Sequence, residues 1–179
     1  MTTLPVSLTS SAPHLRYMEK VAIEDVDKEL NPMGVHSDRR PVSRELGTEH
    51  FAMNYFELQS GESFSGGMHT HHDQEEVFYI QEGTAVFETP DDEVVVEGGE
   101  LIRFAPGDFQ MGYNDAEHGE ENVVGFALGA PGAMHDWDEL ESVVYCQDCE
   151  EETGHGVNLV EGPAFEMTCL ECGNSFSMG

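Results

Sequence analysis

The chain has 179 residues and a formal net charge of −29, from 36 acidic and 7 basic side chains, and 39% of its residues are hydrophobic. That length suits one ordinary domain with a small appendage, and the apolar content is enough for a core. No run approaches the roughly 18 apolar residues of a membrane-spanning helix, and so few cations disfavour DNA or RNA as a partner, since phosphate recognition needs positive surface.

The charge is unevenly placed. Residues 1–44 balance six bases (Arg16, Lys20, Lys28, Arg39, Arg40, Arg44) against six acids (Glu19, Glu24, Asp25, Asp27, Glu29, Asp38), whereas residues 45–179 hold a single base, Arg103, among all the remaining acids. A disordered acidic tail would lack aromatic and β-branched residues, and this region is rich in both. Bait for a basic partner is one alternative. A surface adapted to high salt, where self-repulsion is screened, is the expectation, and the presence of only two lysines fits it. The start MTTLPVSLTSSAPH has neither the basic nor the apolar stretch of a secretory signal, so a cytoplasmic protein is expected.

In chain order, residues 1–14 are Thr-, Ser- and Pro-rich and expected to be loose. Residues 15–30 suit a short strand or helix, broken by Asn31-Pro32 and Gly34. Residues 35–50, with Arg39-Arg40-Pro41, read as an arm packed on the next domain, its bases pairing with the acidic body or with a second subunit. From residue 51 the pattern is β: FAMNYFEL (51–58), EVFYIQ (76–81), TAVFET (84–89), EVVVE (93–97), ELIRFA (100–105) and NVVGFAL (122–128). Turn residues separate these runs: Gly61, Glu82-Gly83, Pro90-Asp91-Asp92, Gly98-Gly99, Pro106-Gly107 and Asn114-Asp115. Short, evenly spaced strands predict a sandwich or barrel. DWDELESV (136–143) is at most two helical turns, leading into a tail.

Between the first two runs lies Gly67-Met68-His69-Thr70-His71-His72-Asp73-Gln74-Glu75-Glu76. On a strand, side chains alternate, so His69 and His71 share a face and can chelate a divalent metal. A carboxylate from the next strand would complete a two-histidine, one-carboxylate face with open positions. An exposed polar loop is the simpler alternative. His72 should point the other way, toward solvent or a partner, and Glu75 competes with Glu76 as the carboxylate.

The segment HTHHDQEEVFYIQEGTAVFE resembles the first motif of the cupin superfamily: His-x-His, four residues to Glu76, then six to Gly83. Gly99-Glu100-Leu101-Ile102-Arg103-Phe104-Ala105-Pro106-Gly107-Asp108-Phe109-Gln110, followed by Asn114, resembles the second. The resemblance covers roughly 50–130. It implies an all-β double-stranded β-helix, the cupin jelly-roll barrel, often dimeric, with a metal inside held by His69, His71 and Glu76. The second motif usually supplies a third histidine, and Gln110 stands in its place. Gln110 is either a weaker fourth ligand or a partner of metal-bound water. The barrel metal is left open among Fe, Mn, Ni, Cu and Zn.

Phe78 and Ile80 share the parity of Glu76 and should face the barrel interior. Phe56 or Tyr55, Phe104, Tyr113 and Phe126 are further lining candidates. Arg103 either neutralises surface carboxylates or clamps a substrate carboxylate at the barrel mouth. The substrate-binding candidates are therefore Phe78, Arg103 and Tyr113.

All four cysteines fall in two pairs, Cys146-x-x-Cys149 and Cys169-x-x-Cys172, with 19 residues between them. This is the spacing of a four-thiolate zinc site, resembling a zinc ribbon or a rubredoxin-like iron site. A cytoplasmic setting argues against two disulfides. The expected organisation is an arm (1–49), a cupin barrel (50–130), a linker (131–144) and a small C-terminal zinc ribbon (145–179) with structural Zn. The expected function is that of a metal-dependent cupin, a dioxygenase-type oxidoreductase acting on a small oxygen-rich or aromatic molecule, with Glu76 as catalytic residue and a homodimer as assembly. A non-catalytic metabolite sensor, whose ribbon contacts a protein, and a sugar-type isomerase are the alternatives.

Overall fold

The computed structural model describes residues 18–119, 121–134, 139–160 and 164–178. The expected loose segment 1–14 lies outside them. Residues 15–30 contribute only a 3-10 turn at Ile23–Asp25. The arm then adds β1 (Asp38–Arg40) and a short helix, α1 (Val42–Leu46). Its bases pair mostly within the arm. Arg40 grips Asp38 and the carbonyls of Ile23 and Val26, Arg44 and Arg39 both reach Glu29, and Lys28 reaches Asp38. Among the described residues, Arg39 extends to the body, donating to Asn54 Oδ1 at 3.0 Å.

The β pattern of the body forms as expected. The strands are β2 (Ala52–Leu58), β3 (His69–His71), β4 (Glu75–Glu82), β5 (Thr84–Glu88), β6 (Glu93–Glu97), β7 (Leu101–Phe104), β8 (Met111–Tyr113) and β9 (Val123–Ala130). One sheet runs β1-β2-β9-β4-β7 and a second runs β6-β5-β8. Their inner faces share one core of Phe56, Leu58, Phe64, Phe78, Ile80, Ala85, Phe87, Val96, Phe104, Val123 and Ala127. Phe64 sits at its centre, with ring centroids 5.1 Å from Phe56 and from Phe78 and 5.8 Å from Phe87. Each such buried ring contributes roughly 1.5–3 kcal/mol.

Two local features fix the loops beside residues 121–123. Gly83 takes a left-handed φ of 79° in the β4–β5 turn, and a Cβ there would strike the Asn122 carbonyl. Asn114 is buried and donates to the carbonyls of Leu58 (2.9 Å) and Glu121 (3.1 Å), tying the chain after β8 to the end of β2.

The tail is also β: β10 (Leu140–Cys146), β11 (Glu151–Leu159), β12 (Phe165–Cys169) and β13 (Ser175–Met178). Residues 140–143, expected as helix, are strand; residues 135–138 lie outside the described part. These strands form a third sheet, β13-β12-β11-β10-β3, so the histidine strand belongs to the tail's sheet. Among the described residues, no helix is long and apolar enough to cross a membrane.

Candidate metal centre

β3 is short and buried throughout, and its alternation sends His69 and His71 to one side. β4 places Glu76 on the barrel interior, in line with Phe78 and Ile80. Ligand atoms of His69, His71 and Glu76 all lie within 4.8 Å of one another. The imidazole rings stand edge to face, 5.3 Å apart. His69 Nδ1 lies 3.0 Å from the Gly67 carbonyl and donates to it, which leaves the Nε2 lone pair facing the site. His71 Nε2 lies 4.0 Å from Glu76 Oε2.

Gln110 stands where the second motif puts it. Its backbone exchanges two 3.0 Å hydrogen bonds with His69, so the two side chains share the interior. Its amide Nε2 donates to Glu76 Oε2 at 2.9 Å and lies 3.3 Å from His69 Nε2, while Oε1 is buried without a partner. Amide N and O are nearly isosteric. Turning the amide over would aim Oε1 at the ligand atoms, so the residues fit a divalent metal with two imidazoles, a carboxylate and an amide oxygen within reach.

Burial sets the protonation of the site. Desolvation raises the Glu76 carboxyl to about 7, against the lowering effect of the Gln110 hydrogen bond. Desolvation also lowers the His69 pKa, keeping the ring neutral and able to ligate. Beside the cluster is a partly open cavity of about 10 Å³ lined by Thr70, His71, Gln74, Glu76, Phe104, Ala105, Asp108 and Gln110. That is room for about one water. No Lys or Arg is among these lining residues.

Phe78, Arg103 and Tyr113 are not among the residues that line this cavity. Phe78 does face inward, but at 2% exposure it packs on Phe64, Phe87 and Phe104 as core, away from the cavity lining. Arg103 pairs with Val77 in the β4–β7 register, opposite in parity to Glu76, so it lies on the outer face, where it donates to Glu75 Oε2 at 2.6 Å. Tyr113 donates its hydroxyl to Glu93 at 3.2 Å, while its neighbour Gly112 faces the Phe87 ring. Tyr55 and Phe126 pair with each other outside the barrel, rings 5.5 Å apart; Phe56 and Phe104 are the inward members of that set. Glu75, paired with Arg103, leaves Glu76 as the carboxylate in the cluster. His72 is exposed and bound to Glu141.

Sequence reasoning passed over Gln74 and Asp108. Gln74 reads as a spacer between histidines and carboxylates, yet it is buried and donates to the carbonyls of Pro131 and Met134. Asp108 reads as a turn residue after Pro106-Gly107, and indeed caps Ala105 N–H at 2.8 Å, but it also lines the cavity.

At the far end of the third sheet the four cysteine sulfurs lie within 4.8 Å of one another. Cys146 and Cys172 are 3.5 Å apart, and Cys149 and Cys169 are 3.9 Å apart. Tetrahedral zinc with Zn–S bonds of about 2.3 Å requires sulfur separations of about 3.8 Å, so the thiols fit such an ion. Each Cys-x-x-Cys turn closes in the same way: Glu150 N–H donates to the Cys146 carbonyl and Gly173 N–H to the Cys169 carbonyl. Glu150 and Gly173, at equivalent positions, both take left-handed φ values of 61° and 78°. The Thr153 hydroxyl, 3.2 Å from Cys169 Sγ, leads the effects that pull that thiol down to about 6, while the other sulfurs push Cys149 up.

Residues 54–122 match the family model described as Cupin domain. No curated protein matches the chain. Among solved structures, the chain is similar to a sugar phosphate isomerase from a cupin superfamily of Silicibacter pomeroyi, with TM-score 0.56, 13% identity, and 89% of this chain and 92% of that chain covered. It is similar to the polyketide cyclase RemF of Streptomyces resistomycificus, with TM-score 0.53, 23% identity, and 82% and 89% covered. A cupin protein of Bacteroides fragilis gives TM-score 0.51 at 15% identity, covering 66% and 87%. At these identities the likeness is one of fold. Residues 54–122 thus resemble a cupin domain, and the fold of the body is the one these structures share.

Proposed function

We propose that the barrel binds a divalent transition metal through His69, His71 and Glu76, with Gln110 as a fourth oxygen donor, and that the chain is a dioxygenase-type oxidoreductase acting on a small oxygen-rich molecule. The carrying observation is the two-imidazole, one-carboxylate cluster beside a partly open cavity with no cationic lining. The metal, when bound, supplies Lewis acidity and redox chemistry. The chain's residues do the rest. His69 and His71 present ring nitrogens, Gln110 presents its amide oxygen, and Glu76 both ligates and exchanges a proton with substrate. The cavity admits little more than the ligating oxygen, so the body of a substrate would rest at the mouth, on Gln74, Phe104 and Asp108. A sugar phosphate fits this reading poorly, because the lining offers the phosphate no positive partner.

The four thiolates are proposed to hold structural zinc. Iron in a rubredoxin-like site is the alternative metal. A homodimer in the cytoplasm is part of the same reading; Val94, Val95 and Leu101 are exposed on the edge strands β6 and β7.

Oxygen uptake tests the reaction. Metal-free protein reloaded in turn with Fe, Mn, Ni, Cu and Zn is assayed with enediols, flavonols and diketones. Uptake with at least one metal, lost in His69→Ala, is expected. No uptake with any metal overturns the oxidoreductase reading in favour of the sensor. The small cavity and the exposed Tyr145, Leu159 and Leu170 of the tail favour that second reading, in which the tail meets a partner protein.

A further inference from the structure

We propose that the two metal sites are thermodynamically coupled: metal held by the four thiolates fixes β10, β10 fixes the strand that presents His69 and His71, and the barrel site therefore binds its metal more tightly. This rests on reading both clusters as metal sites.

The coupling follows from where the hydrogen bonds of β3 go. β3 is three residues long. On one side it has only an isolated bridge, His69 with Gln110, and the Gly107 N–H to the His71 carbonyl. Its other side is β10, in the register His71–Leu140, Thr70–Glu141 and His69–Ser142. Met68 and His72 extend that ladder, accepting from Val143 N–H and donating to the Glu139 carbonyl, each at 2.9 Å. Antiparallel bonding alternates along a strand, so the odd residues of β10 serve β3 and the even ones serve β11.

The same strand ends on a thiol. Cys146 is the last residue of β10, and Cys169 is the last of β12. Cys149 and Cys172 sit in the two turns. Closing the thiolate site therefore pins three neighbouring strands at one end. The register runs His69–Ser142–His155–Cys169 across four strands, three spacings or about 14 Å. That row is tightly filled. His155 is fully buried and donates from Nδ1 to the Thr153 carbonyl at 2.9 Å, while the Thr153 hydroxyl contacts Cys169 Sγ. A second tie crosses near the histidines: His72 bonds Glu141 at 2.8 Å, and the Glu141 carboxylate lies where any side chain at Gly154 of β11 would collide.

Among the described residues, the tail's buried apolar core is small: Leu140, Val157, Phe165 and Met167, with Val144, Phe176 and Met178 packed against it. Modules this small depend on a metal for rigidity. With the thiols empty, β10 loosens, and ordering β3 is charged against metal binding in the barrel. By linkage, each metal tightens the other.

The test is a Mn²⁺ titration of metal-free full-length chain, read by the electron paramagnetic resonance signal of free Mn²⁺, with and without one equivalent of Zn²⁺. Thiolates select zinc, and the nitrogen and oxygen donors accept manganese. Zinc is expected to lower the Mn²⁺ Kd at least tenfold. In Cys146→Ser the zinc effect disappears and Mn²⁺ affinity equals that of the zinc-free chain. In Val143→Pro, which removes one β3–β10 bond and leaves every metal donor in place, both metals bind but zinc no longer tightens manganese. Should that variant not fold, Glu141→Gln, which weakens the His72 tie, is expected to reduce the zinc effect. An unchanged Mn²⁺ Kd in the wild-type chain overturns the coupling, provided Co²⁺ shows thiolate charge-transfer absorption. Absence of that absorption, or Mn²⁺ binding that survives His69→Ala, overturns the site assignments instead, and the coupling with them.

Discussion

Burial of Glu76 has an energetic consequence. Its carboxyl titrates at about 7 in the fold against 4.5 when solvated. Between those values the metal-free native state holds a proton that the unfolded chain has released, so this group lowers stability as pH rises from about 4.5 to 7. The loss is at most about 3 kcal/mol, since 19% of the side chain stays exposed. Glu76→Gln in metal-free protein is therefore expected to raise Tm at pH 8 and leave it nearly unchanged at pH 4.5, as followed by circular dichroism. Metal loading reverses the preference. The ion needs the carboxylate, so its affinity in the wild type falls as pH drops below about 7, and competition with a chelator reads it. Gln110 offers a complementary change. Its side chain reaches both His69 Nε2 and Glu76 Oε2, so Gln110→His is expected to tighten Ni²⁺ or Cu²⁺ by roughly tenfold, more than Mn²⁺. Equal gains for all three ions would show that residue 110 does not reach the metal.

At the scale of elements, the strands of the body were readable because each carries its own evidence. Val, Ile, Phe and Tyr runs lie between Gly and Pro turns, and inner residues alternate with outer ones. The His-x-His spacing and Glu76 were readable for the same reason. The tail's first strand was not. Leu140–Cys146 carries acidic residues at spacings that also suit a helix, and what makes it a strand is a partner about seventy residues earlier in the chain, with Ser142 beside His69. Strand pairing also decides where the substrate-contact candidates sit. Arg103 is a lone cation in an acidic body, yet its place beside Val77 puts it outside. Phe78 has the right parity, but the core has no spare volume around it. That tight packing is testable at Gly112 of β8, where a Cβ would strike the rings of Phe87 and Phe64. Gly112→Ala is expected to cost about 1–3 kcal/mol and to appear as a lower midpoint in urea denaturation.

For the molecule as a whole, the net charge of −29 is a standing repulsion that salt relieves. At 0.1 M salt, charges interact over about 10 Å, and at 1 M over about 3 Å. The Tm is expected to rise between 0.1 and 2 M KCl, with chloride and sulfate salts compared to separate screening from general salting effects. A flat or falling Tm would contradict adaptation to high salt.

Among the described residues, three of the arm's arginines are engaged near the arm: Arg40 with Asp38, Arg44 with Glu29, and Arg39 with Glu29 and Asn54. They leave the many carboxylates of the barrel and tail with few cationic partners, such as Arg103 on Glu75. The molecule therefore travels in solution within its own cloud of counter-ions, enriched in divalent ones. A metal ion approaching either proposed site is expected to be drawn inward before it meets a ligand. Capture is quick in dilute buffer and slows as salt thins the cloud, so the exterior governs how fast the sites fill and the interior how long they stay filled.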